Sequence, residues 1–150
     1  MNYTLEQNLV EDFVRCIPSS PFSEFGAFTL SREFEYQRGR TDIILLTYEN
    51  EVIAFEAKLR KWREALYQAY RNTCFAQYSY VVLNEGTAKN AIKHYDEFVE
   101  RNIGICYIHD NEIKIIQKAN RIKPLQYWLY DRARIELIKG GINVAYCNAF

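Results

Sequence analysis

Two short apolar runs, separated by a three-residue polar break, constrain the fold of this chain more than any other feature. The first run is TDIILLTY (41–48), the second is VIAFEAK (52–58), and Glu49-Asn50-Glu51 stands between them. Both runs are rich in β-branched and aromatic residues, which favour strands. Because a break this short can join only antiparallel neighbours, we predict a β-hairpin whose strands are largely buried.

The patterns on either side of the hairpin predict a mixed α/β fold. A helix from about Thr4 to Cys16 carries apolar residues at helical spacing, and a strand-like run, FTLSREFEYQ, precedes the hairpin. The later elements are a helix over 60–72, a strand over 77–83, a helix over 87–102 and strands over 103–109 and 112–117. Strand–helix–strand connections require parallel pairing, so we expect a mixed β-sheet flanked by helices with the core order αβββαβ.

The sequence predicts a single domain over 1–150, with its core at about residues 4–117 and a C-terminal extension over 118–150. In the extension, LQYWLYDRARIELI follows Pro124 and is compatible with a helix, although its apolar residues spread around the whole circumference. The overlapping segment IELIKGGINVAY is equally compatible with a hairpin about Gly140-Gly141. The aromatic-rich tail from Tyr127 to Tyr146 is a candidate homodimer interface.

Composition excludes several classes of protein. No apolar run approaches the roughly 20 residues of a membrane-spanning helix, and the first residues lack a signal peptide's basic-then-apolar pattern, so we expect a cytoplasmic protein. The 19 basic and 19 acidic residues balance, which argues against a protein that coats nucleic acid by bulk charge. The four cysteines form no CxxC pair, so buried thiols are expected and not a zinc ribbon.

Charged side chains interrupt the apolar pattern at one end of the predicted hairpin. Glu56 and Lys58 point to the same face, about 6.7 Å apart along the strand, because side chains alternate. Charges at the end of an otherwise apolar strand are costly unless they pair or bind something. With a loop of residues 49–51, Asp42 lies opposite Lys58 and diagonal to Glu56, roughly 7–8 Å away at Cα. With a two-residue Glu49-Asn50 turn, Asp42 faces away from Glu56.

Asp42, an apolar strand and then Glu56-Ala57-Lys58 resemble the signature of the PD-(D/E)XK nuclease superfamily, which includes many restriction endonucleases and Holliday-junction resolvases. Thr41 stands where the name of the motif has proline. The resemblance covers the first half of the chain, where the predicted element order matches the common core of that superfamily. It implies a restriction-endonuclease-like fold and a Mg²⁺- or Mn²⁺-dependent endonuclease that cleaves DNA.

The resemblance also implies roles for individual residues. Asp42 and Glu56 would hold the metal, since carboxylates are hard oxygen ligands suited to Mg²⁺ or Mn²⁺, and Lys58 would position or activate water. Glu6, on the apolar side of the first helix, would be a further metal ligand, and Gln68 on the second helix would lie near the site or the DNA backbone. A solvated Glu6 and an ordinary polar flank at Gln68 are the alternatives. Three basic residues are candidates for phosphate contacts: Lys61, Arg63 and Arg71.

Two competing interpretations remain open on the sequence. Asp42, Glu56 and Lys58 are also compatible with a surface salt bridge, and the net neutrality of the chain is compatible with a catalytically inactive nuclease-like fold that serves as a DNA- or protein-binding module. The intact charged set favours catalysis, because a module freed from catalysis has no reason to keep buried charges. His94 and His109 match no ligand or base arrangement, and we interpret both as structural.

Overall fold

The structure, a computed structural model, describes residues 3–37 and 39–149, with side chains up to residue 147. The helices of this part of the chain are α1 (Glu6–Cys16), α2 (Pro21–Glu24), α3 (Trp62–Asn72), α4 (Glu85–Ala91), α5 (Tyr95–Val99) and α6 (Tyr127–Gly140). Its strands are β1 (Ala27–Tyr36), β2 (Gly39–Thr47), β3 (Val52–Lys58), β4 (Tyr78–Leu83), β5 (Ile103–His109), β6 (Glu112–Gln117) and β7 (Ile142–Asn143). Within these residues there is no helix with the length and apolar character that a membrane crossing requires.

The strands form one mixed sheet of seven strands in the order β6-β5-β4-β3-β2-β1-β7. The pairs β1–β2 and β2–β3 are antiparallel, β3–β4 and β4–β5 are parallel, and β5–β6 is antiparallel. Helix α3 connects β3 to β4, and α4 and α5 connect β4 to β5, which is what parallel pairing requires. The predicted mixed sheet flanked by helices, with the order αβββαβ at its start, is confirmed.

Alternate residues of β2 and β3 face two different parts of the core. Odd-numbered residues such as Phe55 pack beneath α1, where the rings of Phe13 and Phe55 lie 5.0 Å apart between centroids. Even-numbered residues such as Ile44 and Ala54 pack on the opposite side, with residues of α6 and the segment that follows α3. β3 thus directs Glu56, which is even-numbered, toward the side of the sheet that α3 covers. In β2 the alternation holds only from Ile43 onward, because Thr41 also reaches α3 while Asp42 borders a cavity with residues of α1.

The C-terminal segment packs against the first strands. Leu129, Ala133 and Leu137 repeat at every fourth position and are buried in the same cluster as Ile44, and the chain stays helical until Gly140. The alternative hairpin about Gly140-Gly141 is therefore wrong. Gly141 allows a close approach at the helix end, because an added Cβ would overlap the hydroxyl of Thr29. After it, β7 pairs with β1.

The predicted helix over 87–102 is interrupted. It begins earlier, as α4, and then passes through a 3-10 turn at Ile92–His94 into α5. His94 leaves helical geometry with φ −113° and ψ 35°, and its ring stacks on Trp62 with 5.0 Å between centroids. A tertiary contact with α3 thus accompanies the break, and local helical periodicity did not reveal it.

The hairpin between β2 and β3 closes one residue earlier than predicted. Ile43 pairs with Phe55 and Leu46 with Val52, and the loop is Tyr48-Glu49-Asn50, since the Thr47 N–H donates to the Glu51 carbonyl at 2.9 Å. The last residue of a three-residue hairpin loop takes the left-handed conformation, which asparagine tolerates better than glutamate. Asn50 has this conformation, with φ 63°. Both predicted loops are wrong, and the observed register carries Asp42 opposite Glu56 instead of Lys58.

This loop assignment predicts how stability responds at Asn50. Asn50→Val lowers the free energy of unfolding by about 1–2 kcal/mol, because a β-branched residue is strained at positive φ. Asn50→Gly stays within about 0.5 kcal/mol of the parent, since glycine adopts this conformation freely. Urea denaturation measures both values. Glu49→Val, one residue earlier in the loop, is the matched control, and an equal loss at both positions would contradict the assignment.

Candidate active site

The β2–β3 ladder ends before the strands themselves do. Its last pair is Ile43 with Phe55, although β2 begins at Gly39 and β3 continues to Lys58. Beyond that pair, the Asp42 carboxylate accepts a hydrogen bond from the main-chain N–H of Ala57, at 2.8 Å from Oδ2. A side chain thus occupies the place of a main-chain acceptor, which holds Asp42 beside Glu56. The other edge of β3 remains paired with β4 as far as Lys58.

Asp42 and Glu56 form a pair of interacting carboxyl groups. A side-chain hydrogen bond between them raises the pKa of Glu56 and lowers that of Asp42, so it favours a proton on Glu56 over one on Asp42. The Glu56 side chain is 2% exposed, and burial, followed by the charge of Asp42, raises its pKa to about 8. Burial also raises the pKa of Asp42, against the opposing hydrogen bond from Ala57. Full ionisation of this pair is unfavourable unless a cation joins it.

A buried asparagine, missed by the sequence analysis, holds Glu56 in place. The Asn72 amide donates from Nδ2 to Oε2 of Glu56 at 2.7 Å. Its Oδ1 accepts hydrogen bonds from the Tyr36 hydroxyl at 2.7 Å and from the Thr41 hydroxyl at 2.8 Å. These two donors fix the orientation of the amide, so its N–H group must point at Glu56. Thr41, where the motif has proline, therefore contributes a hydroxyl to the support of the site.

Asn72 could have been found from its spacing. It lies three residues after Ala69 and seven after Ala65, within the apolar stripe that α3 buries, and it is 0% exposed. A polar side chain in such a stripe must have a partner. Gln68, the predicted site residue, lies one turn earlier and is half-buried. Its side chain forms no hydrogen bond within the described part of the chain.

Lys58 pairs with a residue that the sequence analysis did not consider. Its Nζ lies 3.0 Å from Oε1 of Glu64 on α3. That hydrogen bond raises the pKa of Lys58, and the charges of Glu6 and Asp42 add to the increase, although burial opposes it. Lys58 is therefore an ammonium at neutral pH. The salt bridge envisaged among Asp42, Glu56 and Lys58 is not formed by the described residues, since the ion pair of Lys58 is with Glu64.

Glu6 lies near the carboxyl pair but outside it. It borders a cavity of about 370 Å³ together with Asp42. Burial raises the pKa of Glu6, and the charge of Asp42 raises it further while Lys58 lowers it. Glu11 accepts a hydrogen bond from Gln7 and borders another cavity. Over residues 3–37 and 39–149 no three His, Cys, Asp or Glu side chains are grouped closely enough to hold one ion.

The three basic residues predicted to contact phosphate differ in their partners, and the cysteines and histidines have structural surroundings. Arg63 forms an ion pair with Glu97 at 3.0 Å, and Lys61 is exposed. Arg71 donates from Nε to the Tyr36 hydroxyl at 3.2 Å, which connects it to the hydrogen bonds around Asn72. Three of the four cysteines are buried as predicted: Cys16, Cys106 and Cys147. The two histidines have structural contacts: His94 stacks on Trp62, and His109 lies 2.8 Å from Glu85.

Comparison with known proteins shows likeness at the level of the fold. No family model matches the chain, and no curated protein matches it in sequence. Its structure is similar to the SPO1766 protein of unknown function from Silicibacter pomeroyi, with a TM-score of 0.53 and 14% identity over 93% of this chain and 94% of that one. It is also similar to a repair endonuclease from Pyrococcus abyssi, with a TM-score of 0.44 and 16% identity over 81% of this chain and 50% of that one. The activity of this chain must therefore be argued from its site.

The hydrogen bonds of Asn72 predict a large loss of stability when it is truncated. Asn72→Ala leaves the Glu56, Tyr36 and Thr41 groups without this hydrogen-bond partner. Each of these groups that water cannot reach lowers the free energy of unfolding by about 1–3 kcal/mol. Gln68→Ala, on the same helix one turn earlier, changes the free energy of unfolding by less than about 0.5 kcal/mol. Chemical denaturation of the two variants measures the difference. Equal values for both would show that Asn72 does not support the site.

The pKa of Glu56 predicts a pH dependence of stability. This pKa is about 8 in the folded protein, against an ordinary value of 4.5. An acid whose pKa folding raises contributes stability below its unfolded pKa and loses that contribution as the pH rises through its folded pKa. The free energy of unfolding of the metal-free protein therefore declines between about pH 4.5 and pH 8.

Glu56→Gln, which stays neutral, should flatten this decline in urea denaturation at a series of pH values. The matched control is Glu112→Gln, because Glu112 is exposed and its pKa is lowered by Lys114, so it titrates below this range. A decline that persists unchanged in Glu56→Gln would contradict the assignment.

Proposed function

We propose that this chain is a metal-dependent phosphodiesterase that cleaves DNA as an endonuclease, with Asp42, Glu56 and Lys58 at the core of its active site. The observation that carries the proposal is the placement of two mutually repelling carboxyl groups, one of them almost fully buried, where β2 separates from β3. Such an arrangement costs stability, and a ligand of opposite charge relieves that cost.

The donor set suits a hard divalent cation. Mg²⁺ is commonly held by one or two carboxylates and completes its coordination with water and substrate phosphate oxygens. The pair Asp42 and Glu56 meets this requirement without a third protein carboxylate, and Mn²⁺ accepts the same ligands. A bound cation of this kind polarises a phosphodiester and acidifies a bound water. Glu6 borders the same cavity as Asp42 and would lie beside such a cation without being needed to hold it.

The protein's own side chains supply the remaining parts of the reaction. Lys58 carries a positive charge at neutral pH, so it would orient a phosphate oxygen or the attacking water and offset negative charge as it develops. The ammonium group of Lys58 donates one N–H to Glu64, and its other two N–H groups remain for the substrate. Asn72 keeps the Glu56 carboxyl group directed at Asp42. The site therefore does not have to rearrange when a cation binds.

Two arginines at the cavity beside Asp42 are candidates to hold the phosphates of a substrate. Arg32 and Arg40 are exposed there, although the cavity also has three carboxylates, those of Glu6, Glu33 and Asp42, and Arg40 lies 3.9 Å from Glu33. Guanidinium groups match the geometry of phosphate oxygens. Gln68, half-buried on α3, would contact the nucleic-acid backbone or lie near the site. DNA is proposed as the substrate because the Asp42 and Glu56-Ala57-Lys58 motif resembles that of DNA nucleases.

The proposal predicts cleavage that depends on a divalent metal and on Asp42. Plasmid and linear DNA should be cut in the presence of Mg²⁺ or Mn²⁺ and left intact in excess chelator. Asp42→Asn and Glu56→Gln should each lower the rate by several orders of magnitude. Asp110→Asn is the matched control, because Asp110 is 87% exposed in the β5–β6 turn, and it should keep the parental rate. Cleavage that survives in chelator would refute the metal mechanism.

Melting curves separate loss of metal binding from loss of folding. A ligand that binds only the folded state stabilises it by about 2.7 kcal/mol at a hundredfold excess over its dissociation constant. Mg²⁺ should therefore raise the melting temperature of the parent protein and leave that of Asp42→Asn almost unchanged. Without metal and above about pH 8, where both carboxyl groups of the parent are ionised, Asp42→Asn should melt no lower than the parent, since asparagine still accepts the Ala57 N–H but no longer repels Glu56. A parent protein that is inactive and insensitive to Mg²⁺ would favour the alternative, a binding module.

A further inference from the structure

Arg71 is held in a fixed position next to the candidate active site. It lies in the last turn of α3 and is half-buried. Its Nε donates to the Tyr36 hydroxyl at 3.2 Å, and its guanidinium carbon lies 6.0 Å from the centroid of the Tyr36 ring. The same hydroxyl donates to Asn72, which in turn donates to Glu56. Arg71 is therefore connected through two side chains to the carboxyl pair.

Gly39 provides the surface against which the guanidinium lies. It pairs with Tyr36 at the start of β2. A Cβ added to Gly39 would lie 3.0 Å from Cζ, Nη1 and Nη2 of Arg71. Its φ of 142° is also one that residues with a side chain rarely adopt. The absence of a side chain at Gly39 thus lets the guanidinium group pack flat on the main chain.

Arg71 differs from neighbouring arginines in lacking a carboxylate partner. Arg63 pairs with Glu97 at 3.0 Å, and Arg101 lies 3.9 Å from Glu100. Within the described part of the chain, no carboxylate oxygen forms an ion pair with Arg71. A guanidinium group has several N–H donors in one plane, and the Tyr36 hydroxyl accepts only the one from Nε. The donors on Nη1 and Nη2 remain for an anion.

We propose that Arg71, held by Tyr36 and Gly39, forms an anion site that binds a backbone phosphate of a nucleic acid beside the carboxyl pair. The guanidinium group offers two parallel N–H donors to phosphate oxygens. Its immobilisation removes much of the side-chain entropy that binding would otherwise cost. Of the three basic residues that the sequence suggested, Arg63 is engaged with Glu97, and Lys61 is exposed and forms no ion pair within the described part of the chain, so the geometry favours Arg71. Only the identity of the anion as a nucleic-acid phosphate rests on the proposed function.

The salt dependence of DNA binding tests this site directly. Fluorescence anisotropy of a labelled duplex is measured in chelator, without metal, between about 50 and 200 mM salt. Loss of one phosphate contact lowers the slope of log K against log salt concentration by about 0.9. Arg71→Gln should show this decrease. Arg134→Gln removes the same charge from α6, where Arg134 pairs with Asp131 at 2.6 Å, and it should keep the parental slope.

Gly39→Ala provides a second variant that keeps every charge. Because the new methyl group displaces the guanidinium, affinity for the duplex should fall severalfold at fixed salt while far-UV circular dichroism stays unchanged. A parental slope in Arg71→Gln, an equal decrease in Arg134→Gln, or parental affinity in Gly39→Ala would each overturn the proposal. A last outcome would also overturn the proposal. If Arg71 serves only as an internal counter-charge to Glu56, Arg71→Gln lowers the free energy of unfolding but keeps the parental slope.

The test does not measure cleavage, so its result is independent of the proposed function. If the slope falls in Arg71→Gln while the parent protein never cuts DNA, the anion site stands and the nuclease proposal fails. If the parent cuts DNA and Arg71→Gln keeps its slope, the nuclease proposal stands and the anion site fails.

Discussion

The hydrogen bond from Ala57 to Asp42 is the interaction on which the rest of the site depends. It replaces main-chain pairing at the point where β2 leaves β3. If the two strands had continued as an ordinary ladder, the Asp42 side chain would not be tied to the backbone of β3. The carboxylate instead satisfies a main-chain donor and stays next to Glu56. An end of a β-ladder thus becomes a place where two acidic groups meet.

Helix α3 also holds the charged residues of β3 in place. Asn72 at its end contacts Glu56, and Glu64 in its first turn contacts Lys58. The helix therefore holds the charged residues of β3 at two points along its length. Since Asn72 also accepts hydrogen bonds from Tyr36 and Thr41, three consecutive elements of the chain meet on one amide group. Fully satisfied buried networks of this kind favour a single arrangement over its alternatives.

The contacts around the site leave the negative charge of the Asp42–Glu56 pair without a neutralising cation among the described residues. They satisfy hydrogen-bonding groups, but within the described residues no cation forms an ion pair with Asp42 or Glu56. Burial, followed by the charge of Asp42, raises the pKa of Glu56. Elsewhere in the sheet, apolar residues such as Phe55 and Leu45 are packed without exposure. Departures from ordinary packing rules are expected at the functional site of a protein, and the Asp42–Glu56 pair is such a departure.

The sequence by itself determined most elements of the core, their order and the shared face of Glu56 and Lys58. These depend on periodicity and on short connections, which are local properties, and β3 has the predicted bounds of Val52–Lys58. Only the structure decided the register of Asp42, because the polar residues 49–51 are compatible with several hairpin loops, and the loop that forms pairs Ile43 with Phe55. It also decided that Asn72 and Glu64, instead of Gln68, contact the site. Which residues of a helix face meet which residues of a strand depends on the rotation and height at which the helix packs, and no local spacing in the sequence specifies these.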